Sequence, residues 1–149
     1  MVSLPALDRF LKKHKKIGLD SNILIYFIEG SPAYEKPIGK IFEAVRTGRN
    51  RGICSALTLL EVLVQPYRKN NEELVNKFYG LFTTFPNLSW MEMDVNTADL
   101  GAQLRAKYRL KTPDAILLAT AIQFQATGFI GNDAQMKKVK ELEILLLNQ

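Results

Sequence analysis

The sequence predicts an α/β fold built on a central, mainly parallel sheet of four to five strands, with helices on both faces. Three observations carry this reading. Short β-like segments alternate with longer helical ones, the pattern that produces a parallel sheet joined by crossover helices. One helical stretch, residues 112–125, is apolar nearly all round, as suits an element packed at the centre. At 149 residues and 47% hydrophobic, the chain can bury a core of its own and is near the commonest size for one domain.

Residues 4–13 place Leu4, Leu7, Phe10 and Leu11 on one helical face and Arg9, Lys12 and Lys13 on the other, which predicts a docking helix. Ile17 to Leu19 reads as a first strand running into Asp20-Ser21-Asn22, short polar residues suited to starting a helix before Ile23 to Ile28. Ile38, Ile41, Phe42 and Val45 predict an amphipathic helix over 34–47, ended at Gly48. Gly52 to Ser55 reads as a second strand, followed by a helix over 57–65 that Pro66 is expected to interrupt. Leu74, Val75, Phe78, Leu81 and Phe82 mark another helix, stopped before Pro86. Ser89 to Met93 alternates as a strand does, and a helix over 96–108 follows. Thr112-Pro113-Asp114 predicts a helix start with Thr as cap, Pro at the first helical position and Asp in the first turn. Gly128 to Gly131 is a further strand, 133–140 a short helix, and Ile144 to Leu147 a last strand.

Composition narrows the chemistry. Twenty Lys and Arg against fifteen Asp and Glu give a net charge of +5, which favours a polyanionic partner. The single cysteine, Cys54, rules out an internal disulfide framework and cysteine-rich zinc sites, and fits a reducing cytoplasm. No apolar run approaches the ~20 residues that span a bilayer. The N-terminal basic residues follow the short apolar stretch rather than precede it, so a cytoplasmic protein is expected. No repeat or low-complexity segment interrupts the chain, and residues 1–149 read as one domain.

Against this apolar background four acidic residues stand out: Asp20, Glu61, Asp114 and Asp133. Each adjoins a strongly apolar run, where an unpartnered carboxylate costs several kcal/mol even after relaxation. Taken singly, Asp20 and Asp133 read equally well as helix caps, and Asp114 as a first-turn acid favoured by the helix dipole. Glu61 lies inside Leu57-Thr-Leu-Leu-Glu-Val-Leu-Val, where capping does not account for it. If the four converge, a hard divalent cation such as magnesium is the natural partner.

The order and settings of these residues resemble the PIN-domain family of metal-dependent ribonucleases, particularly the small toxins of VapC type. The resembling pieces are Gly18-Leu-Asp20-Ser-Asn22-Ile-Leu-Ile, Ser55-Ala-Leu-Thr-Leu-Leu-Glu61-Val-Leu, Thr112-Pro-Asp114-Ala-Ile-Leu-Leu-Ala-Thr-Ala121 and Phe129-Ile-Gly-Asn132-Asp133. Together they cover residues 17–147. The resemblance implies a three-layer α/β/α sandwich with Asp20, Glu61, Asp114 and Asp133 lining one acidic pocket as catalytic residues. Of these, Asp20, Asp114 and Asp133 are the implied ligands of Mg²⁺ or Mn²⁺. It also implies supporting polar roles for Ser21, Asn22, Thr112 and Asn132. Two departures stand out: Gly131 occupies a place where many members carry a hydroxyl residue, and residues 1–16 form an N-terminal helical extension the family does not explain.

Four clusters are basic: Arg9 to Lys16, Arg46 to Arg51, Arg105 to Lys111 and Lys137 to Lys140. Solvated faces and charges at helix ends account for most of them. Arg105, Lys107, Arg109 and Lys111, however, lead directly into Asp114 and are the expected contacts to an RNA phosphate. By the same resemblance the partners are an RNA substrate, a cognate antitoxin and a second copy of the chain. Two other classes are compatible with the residues: a PIN scaffold that binds RNA or protein without cutting, and a phosphoacceptor receiver domain. The receiver reading expects an acidic pair early in the chain, which Asp20-Ser21-Asn22 does not supply.

Overall fold

Five short strands, β1 (Lys16–Leu19), β2 (Arg51–Ser55), β3 (Leu88–Met91), β4 (Gly128–Gly131) and β5 (Glu143–Leu146), form one sheet in the order β3-β2-β1-β4-β5. Every pairing is parallel. The computed structural model describes residues 1–149. Seven helices accompany the sheet: α1 (Leu4–Lys13), α2 (Ser21–Glu29), α3 (Glu35–Arg46), α4 (Ala56–Arg68), α5 (Glu72–Thr84), α6 (Val95–Tyr108) and α7 (Thr112–Gln123).

Alternation along the strands sorts side chains into two layers, because successive residues point to opposite faces. Ile17, Leu19, Cys54 and Ile130 pack with Leu7, Phe10, Ile23, Leu24, Ile41 and Phe42 of α1, α2 and α3. Ile53, Phe129, Ile144 and Leu146 pack on the other side with Leu104 of α6 and Leu117 and Leu118 of α7. The result is a three-layer α/β/α sandwich. Between the layers Gly18, paired with Ile53 and Phe129, leaves no room for a side chain. A Cβ there would lie 2.5 Å from Phe129 Cδ2 and 2.7 Å from Ala121 Cβ, and Phe129 is buried and cannot swing away. Gly18→Ala is therefore expected to destabilise the protein by about 2–3 kcal/mol, read from urea unfolding; a loss under ~0.5 kcal/mol would show that the layers part easily.

The N-terminal helix is built into the first layer. Leu7 and Phe10 are buried, and the Val2 amide donates to Leu147 O at 2.8 Å beyond β5. Asn50 Nδ2 donates to Leu11 O (2.8 Å) and His14 O (2.6 Å), fixing the end of α1 above the start of β2. Gly128 makes the approach possible, since a Cβ there would come within 2.6 Å of Phe10 Cζ and 2.8 Å of His14 Cγ.

Three local expectations change. Pro66 does not interrupt its helix: α4 runs on to Arg68, because a proline near the last turn deletes a single intrahelical bond and Lys69 N–H still reaches Gln65 O. The short helix expected over 133–140 is a 3₁₀ turn confined to residues 134–138. In α7, Thr112 is already helical, the cap position falls to Lys111 without a side-chain bond, and the helix ends at Gln123.

The strand order reverses between β1 and β4. In open parallel sheets the crevice at such a point, outside the carboxyl ends of the strands, is where ligands bind. Asp20 directly follows β1, and Asp133 follows β4 by two residues.

Candidate active site

Asp20 is the buried centre of this crevice. It caps α2, its Oδ1 accepting the Ser21 amide at 2.7 Å, and it is only 6% exposed. Burial, together with the charges of Asp114, Glu61 and Asp133, pushes its carboxyl up to about 7, against the lowering pull of the Ser21 N–H. Asp114 sits half-buried in the first turn of α7. Its carboxyl is likewise raised, by burial first and then by Asp133 and Glu61, while Lys111 pulls the other way. Glu61 projects from α4 and accepts a 2.7 Å hydrogen bond from Ser21 Oγ, with the buried Thr58 hydroxyl 3.3 Å from the same oxygen. Asp133 caps the 3₁₀ turn through Gln135 N–H at 2.9 Å.

The structure thus brings Glu61, Asp114 and Asp133, from three further elements, within electrostatic reach of Asp20, and Glu61 and Asp133 within reach of Asp114. Three of the four acids also serve the modest capping and first-turn roles that their local sequence suggests. None of the six ion pairs in the protein involves any of the four, so no basic side chain lies within 4 Å to neutralise them. No three His, Cys, Asp or Glu side chains are drawn together tightly enough to make a ligand cage by themselves. The donors are all hard carboxylate oxygens, and Asp20 is buried with no Lys, Arg or His side chain paired to it. This fits a hard divalent ion that keeps much of its water shell better than one wholly wrapped by protein.

The supporting residues separate. Ser21 orients Glu61 directly. Asn132 faces away from such a role: its Nδ2 donates to Tyr26 Oη and Tyr34 Oη, both at 3.1 Å, and its Oδ1 accepts Asn148 N–H at 2.9 Å. The backbone donor fixes that amide orientation, so Asn132 ties α2, the turn before α3 and the C-terminal residues together beside Asp133. Asn22 and Thr112 are exposed in the first turns of α2 and α7. Thr58 was not singled out from sequence; its polarity inside an apolar helix, three residues before Glu61, was the available signal. A Cβ at Gly131 would press on Asp20 Oδ2 at 3.1 Å and Asp20 Cβ at 3.2 Å, so glycine gives the Asp20 carboxylate its room.

In the basic segment, Arg105 Nε donates to Leu110 O at 2.9 Å and Lys107 approaches Glu141 at 3.5 Å. Tyr108 is held by its hydroxyl, which donates to Glu141 Oε1 at 2.5 Å. Arg109, in the left-handed conformation (φ 56°), turns the chain from α6 into α7. Lys111 is the member of the cluster whose charge acts most on Asp114.

An all-parallel α/β/α domain with carboxylates gathered at its switch point defines the class. Residues 17–142 match the PIN domain family model, and the chain belongs to the PIN-domain family. No curated protein matches it significantly. Among solved structures it is similar to a chain of VapBC2 from Rickettsia felis bound to a DNA fragment from their promoter, at 16% identity and TM-score 0.67, over 88% of this chain and 98% of that one. A chain of a toxin-antitoxin complex from Klebsiella pneumoniae matches at 23% identity and TM-score 0.64, over 87% and 95%. A chain of FitAcB from Neisseria gonorrhoeae matches at 18% and 0.68, over 87% and 96%. At these identities the fold is what is shared.

Proposed function

We propose that the protein is a metal-dependent endoribonuclease hydrolysing RNA phosphodiester bonds, and the toxin of a type II toxin-antitoxin pair. The observation that carries this reading is Asp20: a buried carboxylate in the company of three further acids, at a ligand-binding switch point, with no basic partner. Family membership supports a nuclease, and the likeness to chains from toxin-antitoxin complexes supports an antitoxin partner.

Asp20, Asp114 and Asp133 would hold Mg²⁺ or Mn²⁺, with Asp20 and Asp114 as the principal ligands. The bound ion would supply positive charge against the phosphoryl group as charge builds there. Glu61, oriented by the Ser21 hydroxyl, orients the attacking water and accepts its proton; Asp133 completes the pocket through water. Lys111, with Arg109 beside it, contacts the phosphate entering at Asp114; Arg105 and Lys107 keep charge to contribute although each also makes an intramolecular bond. Hydrolysis leaves a 5′-phosphate and a 3′-hydroxyl. A homodimer in the cytoplasm, with RNA as substrate, completes the reading; no helix is long and apolar enough to cross a membrane.

The experiment is cleavage of total RNA by the purified protein. Cutting is expected with Mg²⁺ or Mn²⁺ and none in EDTA, recovering when the metal is restored. Undiminished cutting in EDTA would sink the metal-dependent mechanism.

A further inference from the structure

Two basic runs that the carboxylate site does not use, Arg9 to Lys16 and Arg46 to Arg51, come together in the fold. The packing of α1 against α3 brings Lys12, Lys15, Lys40 and Arg49 around one open cavity of about 690 Å³, with Asp8 and Glu43. Lys15 immediately precedes β1 and Asp20 immediately follows it, so the cavity lies at the opposite pole of the sheet, roughly 17 Å of extended chain from the carboxylates.

Both acids of this cavity are already paired. Asp8 takes both its oxygens to Lys40 Nζ, at 3.0 and 3.2 Å, and Glu43 is held by Arg46 at 2.7 and 3.1 Å. Lys12 and Lys15 take part in no ion pair. Arg49 also makes none; its charge acts on Glu43 and its Nε lies 3.4 Å from Thr47 Oγ1, leaving its terminal nitrogens uncommitted. The lining therefore sums to a surplus of two positive charges, and three of its cations, Lys12, Lys15 and Arg49, are left without an ion pair. Its wall includes Asn50, 2% exposed and locked to two carbonyls of the α1 end, so the two basic runs are held at a fixed separation. Leu11 is the one apolar residue in the lining, which disfavours an apolar ligand.

We propose that this groove is a second site for the phosphodiester backbone of a nucleic-acid strand. The choice of nucleic acid rests on the nuclease reading above; the surplus charge and the fixed groove do not. Lysines acting as point charges, with no aromatic residue in the lining to stack a base, suit phosphates and carry no sequence preference. The groove would anchor a strand remote from the bond being cut.

The test measures binding in EDTA, without cleavage, so it remains decisive even for a protein that cuts nothing. Fluorescent 12-nucleotide single-stranded DNA and 2′-O-methyl RNA are titrated against wild type, against Lys12→Glu/Lys15→Glu/Arg49→Glu, and against an equal charge reversal elsewhere, Arg68→Glu/Lys69→Glu/Lys77→Glu. Both oligonucleotides are expected to bind wild type. The groove triple should weaken binding at least about tenfold and flatten the salt dependence by about two units of slope, the control triple by less than threefold. If the charge-reversed groove protein fails to fold, the Gln versions of the same three residues carry the test. Equal weakening by the two triples, no binding by wild type, or displacement of the strand by pyrophosphate at equal phosphate concentration would each overturn the proposal.

Discussion

Asp114→Asn is expected to lower RNA cleavage by at least about a hundredfold while leaving the protein folded. The expected loss is that of a group binding charge in the transition state, worth several kcal/mol. The fold should survive because Asp114 is half-buried, Asn has the same shape, and two electrostatic effects oppose each other. Removing the charge relieves repulsion with Asp133 and Glu61, but gives up a favourable interaction with the α7 dipole of about 0.3–1 kcal/mol. The melting temperature should therefore move by no more than a few degrees. Cleavage within tenfold of wild type in a folded variant would remove Asp114 from the mechanism.

The second large effect is on stability. In the metal-free protein Asp20 holds its proton up to about pH 7, whereas in the unfolded chain it loses it near the usual carboxylate value of about 4. The folded state then binds more protons than the unfolded state between these values, so stability falls as pH rises from about 4 to about 7. The stabilisation is fully present below pH 4 and lost through pH 7, and amounts to something on the order of a few kcal/mol. A divalent ion held by these carboxylates would reverse the sign of the local field. Mn²⁺ or Mg²⁺ should raise the melting temperature at pH 8 much more than at pH 5, where it must first displace the Asp20 proton. Thermal melts at both pH values, with and without metal, check this. A metal-free protein equally stable at pH 5 and pH 8, and indifferent to Mn²⁺, would mean that the carboxylates are not coupled as described.

The architecture was largely legible because the signals were strong and local. Alternating short and long segments, the all-round apolar helix from Thr112 and the amphipathic helix around Ile38 to Val45 each follow from period and caps. The failures occur where tertiary context outweighs a local rule. Pro66 reads as a stop, yet near the end of a helix it deletes only one bond. Thr112 reads as a cap, yet Lys111 takes the extended position before the helix. The acids were visible as anomalies against apolar runs, but periodicity alone did not say that Glu61 on α4 would meet Asp20 at the end of β1; that expectation came from the family resemblance. Nothing local to Asn132 indicates that it binds Tyr26, Tyr34 and Asn148, partners as much as 106 residues away in sequence. The meeting of the basic runs around Lys12 and Arg49 was hidden for the same reason: it depends on Gly128 and Asn50 seating α1 beside α3.

The most direct test of the central claim measures RNA cleavage rate and metal occupancy in the same wild-type sample as Mn²⁺ is titrated. If Asp20, Glu61, Asp114 and Asp133 form a metal-dependent hydrolytic site, the rate starts from zero and rises with occupancy, saturating when the site fills. A rate already present without metal, or one that stays at zero when the site is full, would contradict it.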